Sequence, residues 1–211
     1  LTLMTREEEI REIRHDAVVR YSENHRTRDG HIYLVMDYVE GPALEAVMNN
    51  GGMAAEDLLK VMTRVAQGLQ AAHRRNIIHR DIKSTNVKVS GNGMIKLLDF
   101  GIAKAPDSPA LTADGSVIGT LQSLAPEQLA GSPADLHTEI WALRVLLYEM
   151  VAGRHPFAAD GVDDITARIR ARRYHAPSKS VPGLPARIDT IIGHCLRVDP
   201  RRRYPTCQAM R

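Results

Sequence analysis

The most informative stretch of the sequence is HRDIKSTN at residues 79–86, followed by DFG at 99–101 and APE at 125–127. Asp81 precedes Asp99 by 18 residues, and Asp99 precedes Glu127 by 28. Each triplet alone occurs often by chance, but the three in this order and spacing do not. We therefore expect folding to bring polar groups of the first stretch to face Asp99 across one cleft.

Helical periodicity is found on both sides of this polar region. Upstream, apolar residues recur at spacings of three and four from Ala54 to Arg74, which predicts an amphipathic helix. Downstream, the segment from about Ala134 to Val151 is apolar on nearly every side, which predicts a helix buried among others. Shorter helices fit Asp160–Arg173 and Pro185–Arg197.

The first forty residues have a different pattern. Ala17–Tyr21 and His31–Tyr38 are rich in residues that favour strands, and a turn at 28–30 separates them. The charged run Arg6–Arg14 carries two isoleucines three residues apart, which predicts a short helix. The whole pattern indicates an α+β fold with a mainly helical body.

The composition of the 211 residues narrows the class of protein. Apolar residues make up 44% and charged residues 25%, as in soluble globular domains. A net charge of +3 is too small to indicate a nucleic-acid-binding protein, and the absence of an 18-residue apolar run predicts no membrane span. Cys195 and Cys207 have no Cys-x-x-Cys spacing, so we expect free thiols in a reducing, cytoplasmic compartment.

These motifs resemble the signature set of the eukaryotic-type (Hanks-type) serine/threonine protein kinases. The wording VMDYVEG at 35–41 and DFGIAK at 99–104 is most like bacterial members. The resemblance implies a protein-kinase-like fold with a mainly α-helical C-lobe. Residues 1–36 would be a remnant of the β-rich N-lobe (the end of the αC helix and the last two strands), 37–41 the hinge, and 42–211 a C-lobe incomplete at its C-terminal end.

The resemblance also implies roles for the polar residues. Asp81 would accept or orient the proton of the substrate hydroxyl, and Lys83 would offset charge on the transferring phosphoryl group. Asn86 and Asp99 would be the oxygen ligands of Mg²⁺, with Asn86 counted among the catalytic residues. His79 has a structural role in this interpretation.

The implied nucleotide site lies between the hinge and these residues. Met36 would be the gatekeeper, and the backbone of Asp37 and Val39 would bind the adenine of ATP. The full set of residues implied to bind ATP is Met36, Asp37, Val39, Lys83, Asn86 and Asp99.

An activation segment is implied between the DFG and APE motifs. Arg80 resembles the arginine that pairs with a phosphate, or an acidic substitute, on this segment. Thr112 and Ser116 are the candidate modification sites, and an unmodified loop is the alternative. Thr120 resembles the threonine that contacts the catalytic aspartate, which favours serine or threonine as the phosphate acceptor.

Structural positions of the family are partly kept and partly changed. Glu127 and Arg203 resemble its buried ion pair. Glu139 replaces the aspartate that accepts hydrogen bonds from the catalytic loop, and one added methylene could shift that loop. Lys88 replaces an apolar residue beneath the adenine, and Arg144 replaces a glycine in a tight packing position.

Three functions compete. The leading one is a kinase domain that transfers the ATP γ-phosphate to protein serine or threonine hydroxyls. The sequence contains neither the Gly-rich loop nor the strand lysine of the family, so we expect an N-terminally truncated chain, with Glu7 or Glu8 at the position of the lysine's partner. The second function is that of a pseudokinase or scaffold that binds a protein partner, with self-association through an exposed cleft. A small-molecule phosphotransferase is the third.

Overall fold

The computed structural model describes residues 8–29, 31–48, 53–101, 121–207 and 209. Its strands are β1 (Tyr21–Arg26), β2 (Ile32–Met36), β3 (Val87–Val89) and β4 (Ile95–Leu97). Its helices are α1 (Leu44–Met48), α2 (Ala55–His73), α3 (Pro126–Leu129), α4 (Leu136–Ala152), α5 (Val162–Arg170) and α6 (Ala186–Cys195). None of the helices in these residues is long and apolar enough to cross a membrane.

Strands β1 and β2 form an antiparallel hairpin in which Tyr21 is opposite Met36. The predicted second strand is confirmed, but the predicted first strand at Ala17–Tyr21 is wrong, because β1 begins only at Tyr21. The apolar residues before it are buried and bond to the other sheet. Val19 N–H donates to Leu97 O (3.0 Å), and Leu97 N–H donates to Ala17 O (2.8 Å).

A short helical stretch at 8–11 precedes the hairpin, as predicted. Ile10 and Ile13 are both buried in the same apolar cluster as Tyr21. The charged residues around them remain exposed or half-buried. The two isoleucines therefore attach this stretch to the core.

Helix α2 confirms the prediction from its apolar spacing. Val61, Val65, Leu69 and Ala72 are buried, while acidic residues of the first turn are exposed. Acidic side chains at a helix N-terminus interact favourably with the helix dipole. The helix ends just before the 79–86 stretch and so sets where that stretch begins.

Helix α4 is the central element of the helical body, and its predicted burial is confirmed. The Asp135 carboxylate caps its N-terminus by accepting the N–H groups of His137 and Thr138. Gly153, in the left-handed conformation at φ 65°, ends it. One side of α4 packs in the cluster that contains α2, and the other packs with α5 and α6. Packing on both sides explains why the segment is apolar all round.

Candidate active site

Three of the predicted catalytic residues contact one another in the 79–86 stretch. Lys83 Nζ lies 3.0 Å from Asp81 Oδ2. Asn86 Nδ2 donates to the same Oδ2 (2.9 Å) and to the Asp81 carbonyl (2.9 Å). The buried side chains of Ile77 and Ile82 anchor the stretch. Asp81 therefore has one carboxylate oxygen held by two neighbours.

Glu139 of α4 holds the backbone of this stretch. Its Oε1 accepts the N–H groups of His79 and Arg80, the latter at 3.0 Å. Its Oε2 bonds to Nε2 of His73 in the last turn of α2. The longer side chain therefore still reaches the loop, and the sequence interpretation missed His73. The signal was a polar residue at the end of an amphipathic helix, just before the motif.

His79 connects this stretch to the DFG motif. The ring is fully buried, which lowers the pKa of His79. Nδ1 accepts the Asp81 N–H (3.2 Å), so Nε2 carries the proton and donates to Leu98 O (2.8 Å). The ring centroid lies 4.4 Å from that of Phe100, and Gly101 N–H donates to His79 O (2.7 Å). A neutral histidine thus fixes the two motifs against each other.

Asp99 is placed next to Asn86 by the backbone. Leu98 N–H donates to Asn86 O (2.8 Å), and Asp99 follows with an exposed side chain and φ of 49°. Arg80 has a positive φ of 68° as well. Non-glycine residues adopt this left-handed region rarely, and such conformations are concentrated at functional sites.

The donor atoms fit Mg²⁺. The Asn86 side-chain amide donates its hydrogens to Asp81. Its Oδ1 accepts no hydrogen bond from the described residues. Together with the Asp99 carboxylate it offers two hard oxygen ligands. No group of three or more His, Cys, Asp or Glu suited to a metal occurs in the described part of the chain. Two protein ligands suit Mg²⁺, which keeps waters and shares phosphate oxygens.

Tyr21 is a second residue that the sequence interpretation missed. It is 3% exposed, and its hydroxyl oxygen is buried without a hydrogen-bond partner in the described residues. Burial, and next the charge of Asp99, raise the pKa of Tyr21 to about 12. The hydroxyl therefore keeps its proton at neutral pH.

The predicted hinge, residues 37–41, has backbone groups that could bond to a base. Asp37 N–H donates to Arg20 O (2.9 Å), but the Asp37 carbonyl and the Val39 amide have no hydrogen-bond partner among the described residues. Met36, the predicted gatekeeper, is 40% exposed. These groups are the ones expected to contact adenine.

The ammonium group of Lys88 has a defined hydrogen-bond partner. Its Nζ donates to Gly41 O (2.7 Å), at the end of the predicted hinge. Gly41 has φ of 123°, and a Cβ there would lie 2.3 Å from Val89 O, so only glycine fits. The ammonium group of Lys88 thus has a hydrogen-bond acceptor in the Gly41 carbonyl.

Glu127 and Arg203 form a bidentate ion pair. Nη1 lies 2.6 Å from Oε1 and Nη2 lies 2.7 Å from Oε2. Arg203 also donates to His137 O (2.9 Å), and its guanidinium lies 5.0 Å from the Trp141 ring centroid. The pair connects the end of the APE motif to the chain near residue 203.

Arg144 is buried in α4, and its Nε donates to Cys195 Sγ at 3.0 Å. The long Arg144 side chain therefore occupies the position where glycine and tight packing were expected. The Cys195 thiol accepts its hydrogen bond. Both cysteines are free, as predicted.

Several predicted residues lie outside the described residues. They are Glu7, Thr112, Ser116 and Thr120.

Comparisons with known proteins agree with the motifs. The family model "Protein kinase domain" matches residues 3–211. A probable serine/threonine-protein kinase PknB of Bifidobacterium longum is 40% identical over 177 residues, covering 82% of this chain and 26% of the relative. PknA of Corynebacterium glutamicum is 40% identical over 174 residues, covering 82% of this chain and 36% of the relative. PrkC of Bacillus subtilis is 36% identical over 181 residues, covering 84% and 28%.

The chain thus spans about a quarter to a third of the length of these relatives. Among solved structures, the crystal structure of Rad53 in complex with AMP-PNP matches with a TM-score of 0.83 and 23% identity. The match covers 99% of this chain and 53% of that one. At this identity the likeness concerns the fold.

Proposed function

Since the chain belongs to the protein kinase domain family and has bacterial Hanks-type serine/threonine kinases as relatives, we propose that it transfers the γ-phosphate of ATP to serine or threonine hydroxyls of a protein. The observation that carries the proposal is the contact of Asp81 with Lys83 and Asn86 through one carboxylate oxygen. This arrangement fixes a base beside a cation, as phosphoryl transfer requires.

Asp81 accepts or orients the proton of the attacking hydroxyl. Lys83 and Asn86 hold its carboxylate in one orientation, which limits the reorganisation needed at the moment of reaction. Asp81 lines one cleft together with Ser123, Leu124 and Gln128, the segment just before and within α3. A substrate hydroxyl would approach from this cleft. Lys83 then offsets negative charge on the phosphoryl group.

Asn86 and Asp99 would hold Mg²⁺ through the oxygens described above. When bound, Mg²⁺ neutralises charge that develops on the phosphate oxygens. Met36, Asp37 and Val39 bind the adenine from the hinge. The role of each residue in this paragraph is part of the proposal.

The proposal also covers the division into two lobes, the sites of modification and the cellular compartment. Residues 1–36 contribute to an N-lobe, 37–41 to the hinge and 42–211 to the C-lobe. Thr112 and Ser116 are modification sites, and Thr120 contacts Asp81. ATP and reduced thiols are both found in the cytoplasm, where we place the activity.

The test compares Asp81→Asn with Asp160→Asn, a matched change at an exposed aspartate that does not line the cleft. Transfer of γ-phosphate to a basic protein substrate is measured with Mg²⁺ and ATP, and nucleotide binding is measured separately. We expect Asp81→Asn to lower transfer by about a thousandfold or more while binding changes little, because the amide cannot act as the base and Asp81 is not among the residues assigned to ATP. Transfer that survives Asp81→Asn, or a folded parent protein without transfer, contradicts the proposal.

A protein-binding scaffold is the second candidate, and the hairpin supports it. Tyr33, Val35, Met36 and Tyr38 are exposed large apolar residues, with Tyr38 90% exposed. Where exposed apolar side chains form a patch, the patch often marks an interaction site or self-association. Sedimentation at increasing concentration tests this candidate. A monomer at all concentrations argues against self-association.

A further inference from the structure

A cavity of about 270 Å³ lies beside the end of α2 and shares no lining residue with the cleft that contains Asp81. Its lining comes from α2, from the first two turns of α4 and from the chain at residues 206–207. Small-molecule pockets in proteins typically measure about 300–1,000 Å³. The cavity therefore suits an organic ligand at the small end of that range.

The cavity has an apolar part and a polar part. Leu136 and Ile140, four residues apart on α4, contribute the apolar side chains. Gln70, His73 and Arg74, at spacings of three and one along the end of α2, contribute an amide, an imidazole and a guanidinium. A ligand that suits both parts has an apolar body and a polar head group.

The polar part favours an anion. Arg74 is exposed, and its guanidinium makes no hydrogen bond or ion pair with the described residues. None of the described residues that line the cavity is acidic. Thr206 adds a hydroxyl whose oxygen accepts the Ala209 N–H (3.2 Å), which leaves its hydrogen free to be donated. A guanidinium can bind a carboxylate through two parallel hydrogen bonds, so a carboxylate is the head group that these donors match.

Part of the polar lining is held in place without a ligand. His73 Nε2 bonds to Oε2 of the buried Glu139, which fixes the orientation of the ring. The other oxygen of Glu139 accepts the N–H groups of His79 and Arg80. The cavity is thus one side chain away from the carboxylate that positions the 79–86 stretch.

Cys207 also lines the cavity, but it is not suited to covalent chemistry. The side chain is 2% exposed, and burial, and next the charge of Glu139, raise the pKa of Cys207 to about 12. The thiolate is the nucleophilic form of cysteine, and this thiol keeps its proton at neutral pH. A ligand in the cavity would therefore bind reversibly.

We propose that this cavity is a binding site for a small amphipathic carboxylate, of the class of medium-chain fatty acids. The carboxylate bonds to Arg74 and Thr206, and the apolar body packs against Leu136 and Ile140. Binding there requires neither ATP nor Mg²⁺. The inference therefore goes beyond the proposed function and is tested without it.

The experiment titrates the protein with octanoate, a carboxylate of about ten non-hydrogen atoms, by isothermal titration calorimetry without nucleotide. We expect one molecule per chain, with a Kd of about 1 mM or tighter for a ligand of this size. Octylammonium has the same hydrocarbon chain and the opposite charge. It should bind about tenfold or more weakly, because its head group meets a cation.

Two pairs of variants locate the site, and Tm shows that each variant is folded. Arg74→Gln should weaken octanoate binding by about fivefold or more, while Arg75→Gln, at an exposed neighbour that does not line the cavity, should leave it unchanged. Leu136→Trp should fill the cavity and abolish binding. Its control is Val162→Trp, also at the first position of a helix and similarly exposed, 40% against 37%.

A folded parent protein that does not bind octanoate overturns the inference, and this result is expected if another part of the protein fills the cavity. Equal affinity for octanoate and octylammonium also overturns it. Equal effects of the two folded variants in a pair do the same, because they indicate adsorption to apolar surface elsewhere. These outcomes leave the proposed function standing, since phosphate transfer is measured separately.

Discussion

Glu139 Oε2 and His73 Nε2 are in hydrogen-bond contact, which joins the central helix α4 to the last turn of α2. The other oxygen of Glu139 accepts the backbone N–H groups of His79 and Arg80. Glu139 is 2% exposed, so removing one of these partners would leave a buried carboxylate poorly paired. One buried carboxylate therefore positions the stretch that carries Asp81.

Glu139→Gln should destabilise the protein by about 2–4 kcal/mol. The glutamine side chain keeps the shape of glutamate but carries no charge. Its NH₂ group would also face one of the groups that bond to the carboxylate in the parent protein. Urea unfolding measures the change, with exposed Glu12→Gln as a control that leaves the midpoint unchanged. A Glu139→Gln midpoint equal to the parent's would show that the carboxylate does not hold the loop.

Arg203→Met should cost about 3–5 kcal/mol of unfolding free energy. The change leaves Glu127 without its bidentate partner and removes the cation above Trp141. Arg202→Met, at an exposed neighbour, is the matched control. If both variants unfold at the same denaturant concentration, the ion pair has no structural importance.

Lys88→Met should change nucleotide affinity by less than about threefold and lower stability by about 1 kcal/mol, the typical net value of one hydrogen bond. The reason is that the ammonium already bonds to Gly41 O instead of blocking the cleft. Titration with an ATP analogue and urea unfolding measure the two effects. Lys96→Met, on the partner strand of the same sheet, is the control. A tenfold gain in affinity would mean that Lys88 obstructs the base.

Glu149→Gln should stabilise the protein at pH 8 by about 1–3 kcal/mol. Burial, and next the charge of Glu45, raise the pKa of Glu149 to about 7 from 4.5. Between these two values the folded state binds more protons than the unfolded state. The contribution of Glu149 to stability therefore falls as pH rises from 4.5 to 7 and is lost above that.

The stability difference between parent and Glu149→Gln isolates this group from the others that titrate. It should be small at pH 4.5, grow toward pH 7 and then level off, as followed by urea unfolding across the range. A difference that stays constant with pH would show that Glu149 ionises normally.

Local pattern predicted much of the fold. The spacing of apolar residues predicted α2 and α4 to within about two residues at each end. The motif order predicted that polar groups of the 79–86 stretch face Asp99 across one cleft, and this stays a prediction. The strand predicted at Ala17–Tyr21 is wrong in its bounds, since β1 begins only at Tyr21. Residues that favour strands are also favoured at buried positions, so their presence does not by itself predict a strand. Those side chains are in the core while their backbone bonds to Leu97.

Sequence alone determined the helices, the family and the identity of the polar groups, because periodicity and motif spacing are properties of neighbouring residues. Tertiary structure decided which distant groups meet. It placed Glu139 on His73 and the ammonium of Lys88 on Gly41. These contacts join residues 66 and 47 positions apart, and only the packing of whole helices and strands sets the distance between such atoms.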